Sequence, residues 1–102
     1  MQHKWKIKPE NVVVAGITYE VKQEVGLVAN TNNHGECRHL VNEIVVDKSI
    51  PSSRKSQIFC HEMIHAIDNT FANNDTPEWV INGHSEGLWQ VLQQWGIEFD
   101  WD

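Results

Sequence analysis

The segment His61-Glu62-Met63-Ile64-His65 has the residue types and the spacing of a hydrolytic metal site. On an α-helix, residues four apart lie on one face, with Cβ atoms roughly 5–6 Å apart. Two imidazoles held in this way can bind one metal ion at about 2.0–2.1 Å. Glu62 lies about 100° around the helix from His61, beside the ligands, where its carboxylate can take a proton from the attacking water. The pattern predicts a metallopeptidase site with His61 and His65 as ligands and Glu62 as general base.

The surrounding sequence predicts the helix that this site requires. No Pro or Gly occurs between Ser52 and Ala72, and a serine and Pro51 are suited to the helix start. We therefore expect a helix over residues 53–70. Its apolar stripe is formed by residues at helical spacing, namely Ile58, Ile64, Ile67 and Phe71. The alternative is an ordinary helix that happens to carry two histidines and a glutamate.

A second long helix is expected over residues 77–95. Thr76 is the predicted N-cap, Pro77 the first helical residue, and Gly96 the residue that ends the helix. The predicted inner face consists of Ile81, Leu88, Leu92 and Trp95.

A catalytic zinc usually takes three protein ligands and a water, so a third ligand must come from another element. Glu78, His84 and Glu86 on the second helix are the candidates. At about 100° per residue, Glu86 lies about 140° from Ile81, toward solvent, while Glu78 and His84 lie about 60° to either side. Asn82, four residues after Glu78, is placed to support a ligand there. We predict Glu78 as the third ligand, against the alternative of a first-turn carboxylate that complements the helix dipole.

Two more polar residues near the site each have two possible roles. His84 is either an edge histidine or a donor to the oxyanion that develops on the substrate. Asp68, three residues after His65, either holds a histidine in one tautomer or is a carboxylate on the helix face.

The N-terminal half predicts strands. Ile17, Tyr19 and Val21 alternate with polar residues, which predicts a strand over 17–22 after a short extended piece at 12–14 and a turn at Gly16. Residues 26–35 are rich in turn formers and predict a loop. Two more strands, marked by Cys37, His39, Ile44 and Val46, are expected on either side of a turn at residues 40–43. The expected fold class is α+β, with a small antiparallel sheet of N-terminal strands packed on two long helices in a single domain, residues 1–102.

Composition excludes several classes of protein. The 102-residue chain is 40% hydrophobic and carries a net charge of −6, so we expect an ordinary globular protein that does not bind nucleic acid. No run of about eighteen apolar residues predicts a membrane span, and residues 1–5 lack the apolar core of a signal peptide. We therefore expect a cytoplasmic protein, with no membrane partner.

The chain ends and the cysteines have simple interpretations. Lys4, Lys6 and Lys8 predict a solvated terminal segment, and the acidic residues 98–102 are expected to fray. Cys37 and Cys60 are too few for a disulfide framework and are expected to be small buried thiols. Cys60 points about 100° away from His61 and is a poor metal ligand.

Four blocks of sequence together resemble a family of enzymes. They are Gly16-Ile17-Thr18-Tyr19-Glu20-Val21, the segment from Glu43 to Ser49, the segment from His61 to Asp68, and Glu86-Gly87-Leu88-Trp89-Gln90-Val91-Leu92. In this order and spacing, over residues 12–95, the chain resembles a small phage- or prophage-type ImmA/IrrE-like metallopeptidase. The resemblance implies a minimal zincin-like core and a Zn²⁺-dependent endopeptidase that cleaves a protein or peptide substrate, often a regulatory protein. In that family a glutamate on the helix after the motif completes the zinc site, and Glu78 occupies the matching place.

Departures from the family pattern leave other functions open. The larger members carry a helix-turn-helix or sensor domain, which we do not expect in these 102 residues, and Gly83-His84-Ser85 is atypical. One alternative is a catalytically silent zinc-binding adaptor or inhibitor encoded by a phage or prophage, although such a protein has no need of Glu62. Another is peptide deformylase, but Gly35-Glu36-Cys37 has the wrong order for the glycine-cysteine loop of that family.

Overall fold

The computed structural model describes residues 5–102. Residues 1–4 lie outside the described residues. They include Lys4 and most of the N-terminal segment, 1–5, in which no signal peptide was expected. The fold class is α+β, as predicted. In chain order the elements are β1 (Trp5–Ile7), β2 (Asn11–Val14), β3 (Ile17–Glu24), α1 (Leu27–Thr31), β4 (Gly35–Arg38), β5 (Glu43–Asp47), α2 (Ser52–Phe71), α3 (Glu78–Gln94) and β6 (Ile97–Phe99).

The main sheet has four strands in the order β2-β3-β5-β4. β2 and β3 form a tight antiparallel hairpin, because both loop residues, Ala15 and Gly16, have positive φ (49° and 80°). β4 and β5 are also antiparallel, but β3 and β5 are parallel, so the sheet is mixed where an antiparallel one was expected. The reason is burial. The continuous apolar run Ile44-Val45-Val46 is fully buried and therefore takes a central position, paired on both edges.

Helix α2 lies between this sheet and helix α3. The predicted apolar stripe of α2 is wrong at Ile67 and Phe71, which are both exposed. The helix instead buries Phe59, Cys60 and Ala66. Because one helix packs against two layers, its buried surface is wider than a single stripe, and it also takes in polar residues.

The buried face of α3 is rotated from the expected one. Ile81, Ser85 and Trp89 are buried, whereas Trp95 is 66% exposed. These residues are four apart and advance by about 40° each time, so the face centres on Ser85. Glu78 then lies about 20° from the centre of the buried face and His84 about 100° from it. The sequence had placed both residues at equal angles from the expected inner face.

The helix starts also differ in detail from the expectation. Pro51 and Pro77 occupy the N-cap positions of α2 and α3, and neither helix has a side-chain cap. Thr76 therefore does not cap α3. The helix end was predicted correctly, because Gly96 follows α3 with φ 77°.

The segment expected to be a loop contains the short helix α1. Its first turn is held from a distance, since the backbone N–H of Val28 donates to the carboxylate of Asp47 at 2.9 Å. Asp47 lies in β5, so this cap cannot be recognised from the sequence around α1.

The C-terminal residues are ordered, contrary to the expected fraying. β6 pairs in parallel with β1, and Trp101 is 7% exposed. The Trp101 ring packs edge-on against Phe59 and donates to the hydroxyl of Ser56 at 3.0 Å. This aromatic contact closes the core on the side of α2 away from the two histidines. Within residues 5–102, no helix has the length and apolar character needed to cross a bilayer.

Candidate metal centre

Helix α2 holds the two histidines as the i, i+4 spacing predicts. The Nε2 atoms of His61 and His65 are 3.1 Å apart, and both side chains are partly exposed at the same surface. Burial is the largest influence on His61 and lowers its pKa, against the opposing charge of Glu78. The imidazole is therefore neutral at pH 7, which is the form that binds a metal.

Helix α3 contributes the third group. Glu78, its first residue, places Oε1 2.8 Å from His61 Nε2 and Oε2 3.2 Å from His65 Nε2. Ligands at about 2.0–2.1 Å from a tetrahedral zinc stand about 3.3 Å from one another. The observed spacings are close to that value, and two imidazoles with a carboxylate are a common zinc donor set. Among residues 5–102, His61, His65 and Glu78 are the group whose ligand atoms converge in this way.

The centre is open to solvent on one side. The Glu78 side chain is 60% exposed, and a cavity of about 400 Å³ borders all three residues. Structural zinc sites are closed by four protein ligands, whereas catalytic sites keep one position for water or substrate. With a metal bound, three converging groups beside an open cavity would leave one position for water or substrate.

Asp68 organises the connection that brings Glu78 to the histidines. It is 6% exposed, and its carboxylate accepts hydrogen bonds from the hydroxyl and the backbone N–H of Thr76. Its backbone oxygen also accepts from Ala72 and Asn74 in the same connection. Its described side-chain bonds thus go to Thr76, two residues before Glu78, and not to a histidine. Of the two roles expected for Asp68, the described bonds do not support the histidine partner, and the carboxylate on the helix face is buried against Thr76.

Glu62 is buried beside the ligands. Its side chain borders the 400 Å³ cavity and a second cavity of about 260 Å³, although the residue is only 7% exposed. Burial raises its pKa to about 8, and the charges of Glu78 and Glu36 add to the effect. A cation at the centre would act in the opposite direction and favour the carboxylate.

The pH dependence of stability should report this buried carboxyl. In the metal-free protein, folded Glu62 keeps its proton to about pH 8, whereas the unfolded chain releases it near 4.5. The unfolding free energy of the wild type minus that of Glu62→Gln should be constant below about pH 4.5. It should fall by at most about 1.4 kcal/mol per pH unit between pH 4.5 and about 8, and be constant again above about pH 8. Urea unfolding of both proteins at a series of pH values measures this difference. A difference that does not vary with pH would contradict the raised pKa.

Two cavities lie side by side at the candidate centre, and we refer to them together as the cleft. They share four lining residues: Asn33, Gly35, His61 and Glu62. Strand β4 borders the cleft and is an edge strand, paired only with β5 among the described strands. Its outer edge therefore carries backbone groups that can pair with an extended chain.

Gly35 is required where β4 approaches α2. A Cβ atom at this position would collide with Ile58 and would lie 3.1 Å from the carbonyl oxygen of Val45 and 3.4 Å from Cγ of Glu62. The missing side chain lets the edge strand run directly beside the general-base candidate. From the sequence, Gly35 was expected at the end of a loop, and no contact with α2 was predicted for it.

The other α3 residues lie apart from the converging ligands. Asn82 and Glu86 are exposed and border the 260 Å³ cavity. Asn82 is therefore near the site. The contacts described for Glu78 within residues 5–102 are with the two histidines and not with Asn82. His84 is exposed and borders neither cavity. The rotated inner face of α3 accounts for this difference.

A histidine that sequence reasoning did not assign to the site borders the cleft. His39 follows β4 and lines the same cavity as His61, His65 and Glu78. Burial, followed by the charge of His65, lowers its pKa. Cys37 and His39 are two apart and so share one face of an extended segment, but nothing local indicates that this face meets α2.

No protein-family model, curated protein or solved structure matches this chain.

Proposed function

We propose that this protein is a small ImmA/IrrE-like zinc-dependent endopeptidase. The observation that carries the proposal is the convergence of His61 Nε2, His65 Nε2 and the Glu78 carboxylate, 2.8–3.2 Å apart, beside the buried Glu62. Two imidazole nitrogens with one carboxylate suit zinc, and a fourth position open to the cleft suits catalysis. A zinc-binding adaptor would not require a glutamate buried next to its ligands.

The metal and the side chains would have different roles in the reaction. When bound, Zn²⁺ lowers the pKa of water and polarises a carbonyl group. Glu62 accepts the proton of the water that attacks the scissile carbonyl, and then donates it to the nitrogen of the leaving amine, so the proton count balances. Its burial keeps the carboxylate oriented and limits competition from bulk water.

The proposed substrate is an extended segment of a protein, for example a regulatory protein. The cleft is open at the surface and passes along β4, so a peptide can pair with the outer edge of this strand and present a backbone carbonyl near Glu62. The proposed compartment is the cytoplasm, where Cys37 and Cys60, both free thiols, would stay reduced.

Metal dependence tests the proposal. The purified protein, stripped with a chelator and reloaded, should bind about one equivalent of zinc and cleave members of a proteome-derived peptide pool, read by mass spectrometry. The stripped protein should not cleave them. His61→Ala should lose both zinc binding and cleavage, because one of three ligands is removed. Full zinc occupancy in His61→Ala would contradict the site, and zinc binding without any cleavage would favour the silent binding protein.

A further inference from the structure

His39 borders the cleft without belonging to the converging ligands. It lines the 400 Å³ cavity together with His61, His65 and Glu78, yet the three groups that could hold a metal do not include it. The residue is half-buried and lies just beyond the end of the edge strand β4. A histidine in this position can meet a substrate that lies along the strand.

The orientation of the imidazole is set from the core side. Nδ1 of His39 is 3.5 Å from the hydroxyl of Tyr19 and 3.6 Å from Sγ of Cys37. Tyr19 is 1% exposed and belongs to the hydrophobic core. The Nδ1 edge of the ring therefore faces the core, and Nε2 is the nitrogen left for the cleft.

The same contacts select the tautomer. Among residues 5–102, His39 is the hydrogen-bond partner described for the Tyr19 hydroxyl, and a buried O–H proton without an acceptor is unfavourable. Tyr19 therefore donates to Nδ1, which must be unprotonated to accept. Burial, followed by the charge of Glu62, raises the pKa of Cys37 to about 12, so the thiol beside Nδ1 stays protonated. A neutral imidazole with an accepting Nδ1 carries its proton on Nε2.

We infer that His39 is a catalytic residue of the proposed endopeptidase and donates its Nε2–H to the scissile carbonyl oxygen as negative charge develops there. This inference rests on the proposed function. Tyr19 and Cys37 are positioning residues, since they act through the imidazole; Tyr19 is 1% exposed, whereas Cys37 also lines the 400 Å³ cavity. No covalent bond to His39 forms or breaks, and the proton path through Glu62 is unchanged. A hydrogen-bond donor held in place before the reaction stabilises developing negative charge without reorganisation.

The tautomer can be measured without activity. In ¹⁵N-labelled, metal-free protein, long-range ¹H–¹⁵N spectra at pH 7.5 should show His39 as the Nε2–H tautomer. Tyr19→Phe removes the principal donor to Nδ1, and its His39 shifts should move toward those of a mixture of tautomers. An Nδ1–H tautomer in the wild type, or a Tyr19→Phe spectrum with unchanged His39 shifts, would overturn the inference.

Kinetics provide the second test, with zinc-loaded protein and the best-cleaved peptide of the pool. His39→Ala should lower kcat by about a hundredfold, the usual effect of removing one oxyanion donor, with little change in KM and an unchanged zinc content. His39→Gln, which retains an N–H donor, should recover part of the loss. Wild-type kcat in His39→Ala, or loss of zinc from it, would overturn the role given to His39. If the wild-type protein itself cleaves nothing, the proposed function fails, and that result is seen without any variant.

Discussion

Glu62→Gln should keep about one equivalent of zinc and lose peptide cleavage by about a thousandfold, within the range for removing a general acid–base. The amide has nearly the shape of the carboxyl group, so the packing beside Gly35 and Ile58 is retained. It cannot accept a proton from water at any accessible pH. Because the amide is neutral, it is also compatible with a site that is only 7% exposed.

Zinc content by atomic absorption and cleavage of the peptide pool are measured on the same preparations. Glu10→Gln is the matched control, since Glu10 is exposed and borders a different cavity. It should leave both zinc content and cleavage unchanged. Equal cleavage by Glu62→Gln and the wild type would remove the proposed mechanism.

Glu78→Ala should weaken zinc binding by more than about a hundredfold, because losing an outer-shell partner of a ligand already costs about 10–100-fold. The two histidines remain as a weak pair, so the expected result is a large loss of affinity and not its complete absence. The Glu78 side chain is 60% exposed, and its truncation leaves no cavity in the core. The fold should therefore be retained.

Glu86→Ala is the control for this change. Glu86 is also an exposed glutamate on α3, but it is not among the converging ligands. Competition with a chromophoric chelator gives both affinities, and circular dichroism checks the helices. Equal losses in the two variants would mean that general negative charge, and not ligation by Glu78, governs binding.

The cleavage and binding experiments separate two roles that the site combines. Glu62→Gln should affect turnover and spare the metal, whereas Glu78→Ala should affect the metal and, through it, turnover. If both variants bind zinc as the wild type does, Glu78 is not a ligand. If both lose zinc equally, Glu62 is a ligand and not a base.

Much of the candidate centre follows from local sequence. His61 and His65 converge because one helical turn sets their spacing, and the absence of Pro and Gly between Ser52 and Ala72 predicts that helix. Angular position on α3 disfavoured Glu86 but left Glu78 and His84 symmetrical, and Asn82 and the family resemblance favoured Glu78; the structure brings its carboxylate to both histidines. Only the convergence of the two histidines follows from the period of a helix alone, which the sequence determines by itself.

The direction in which each helix buries its surface depends on what packs against it. Trp95 was expected inside and is exposed, while Trp89 and Ser85 are buried. Periodicity shows that a helix has a preferred face, but the neighbouring layers decide where that face is centred and how wide it is. Ile67 and Phe71 on α2 are exposed for the same reason.

Contacts between distant segments were decided only in the tertiary structure. The cap that Asp47 provides to α1, the pairing of β6 with β1, and the approach of Gly35 to Glu62 each join residues that are far apart in the chain. His39 belongs with these contacts, because its place in the cleft depends on β4 lying beside α2. The sequence determined which side chains could perform the chemistry. The packing of β4, α2 and α3 decided which of them meet, since their convergence requires three segments to bury their apolar surfaces against one another.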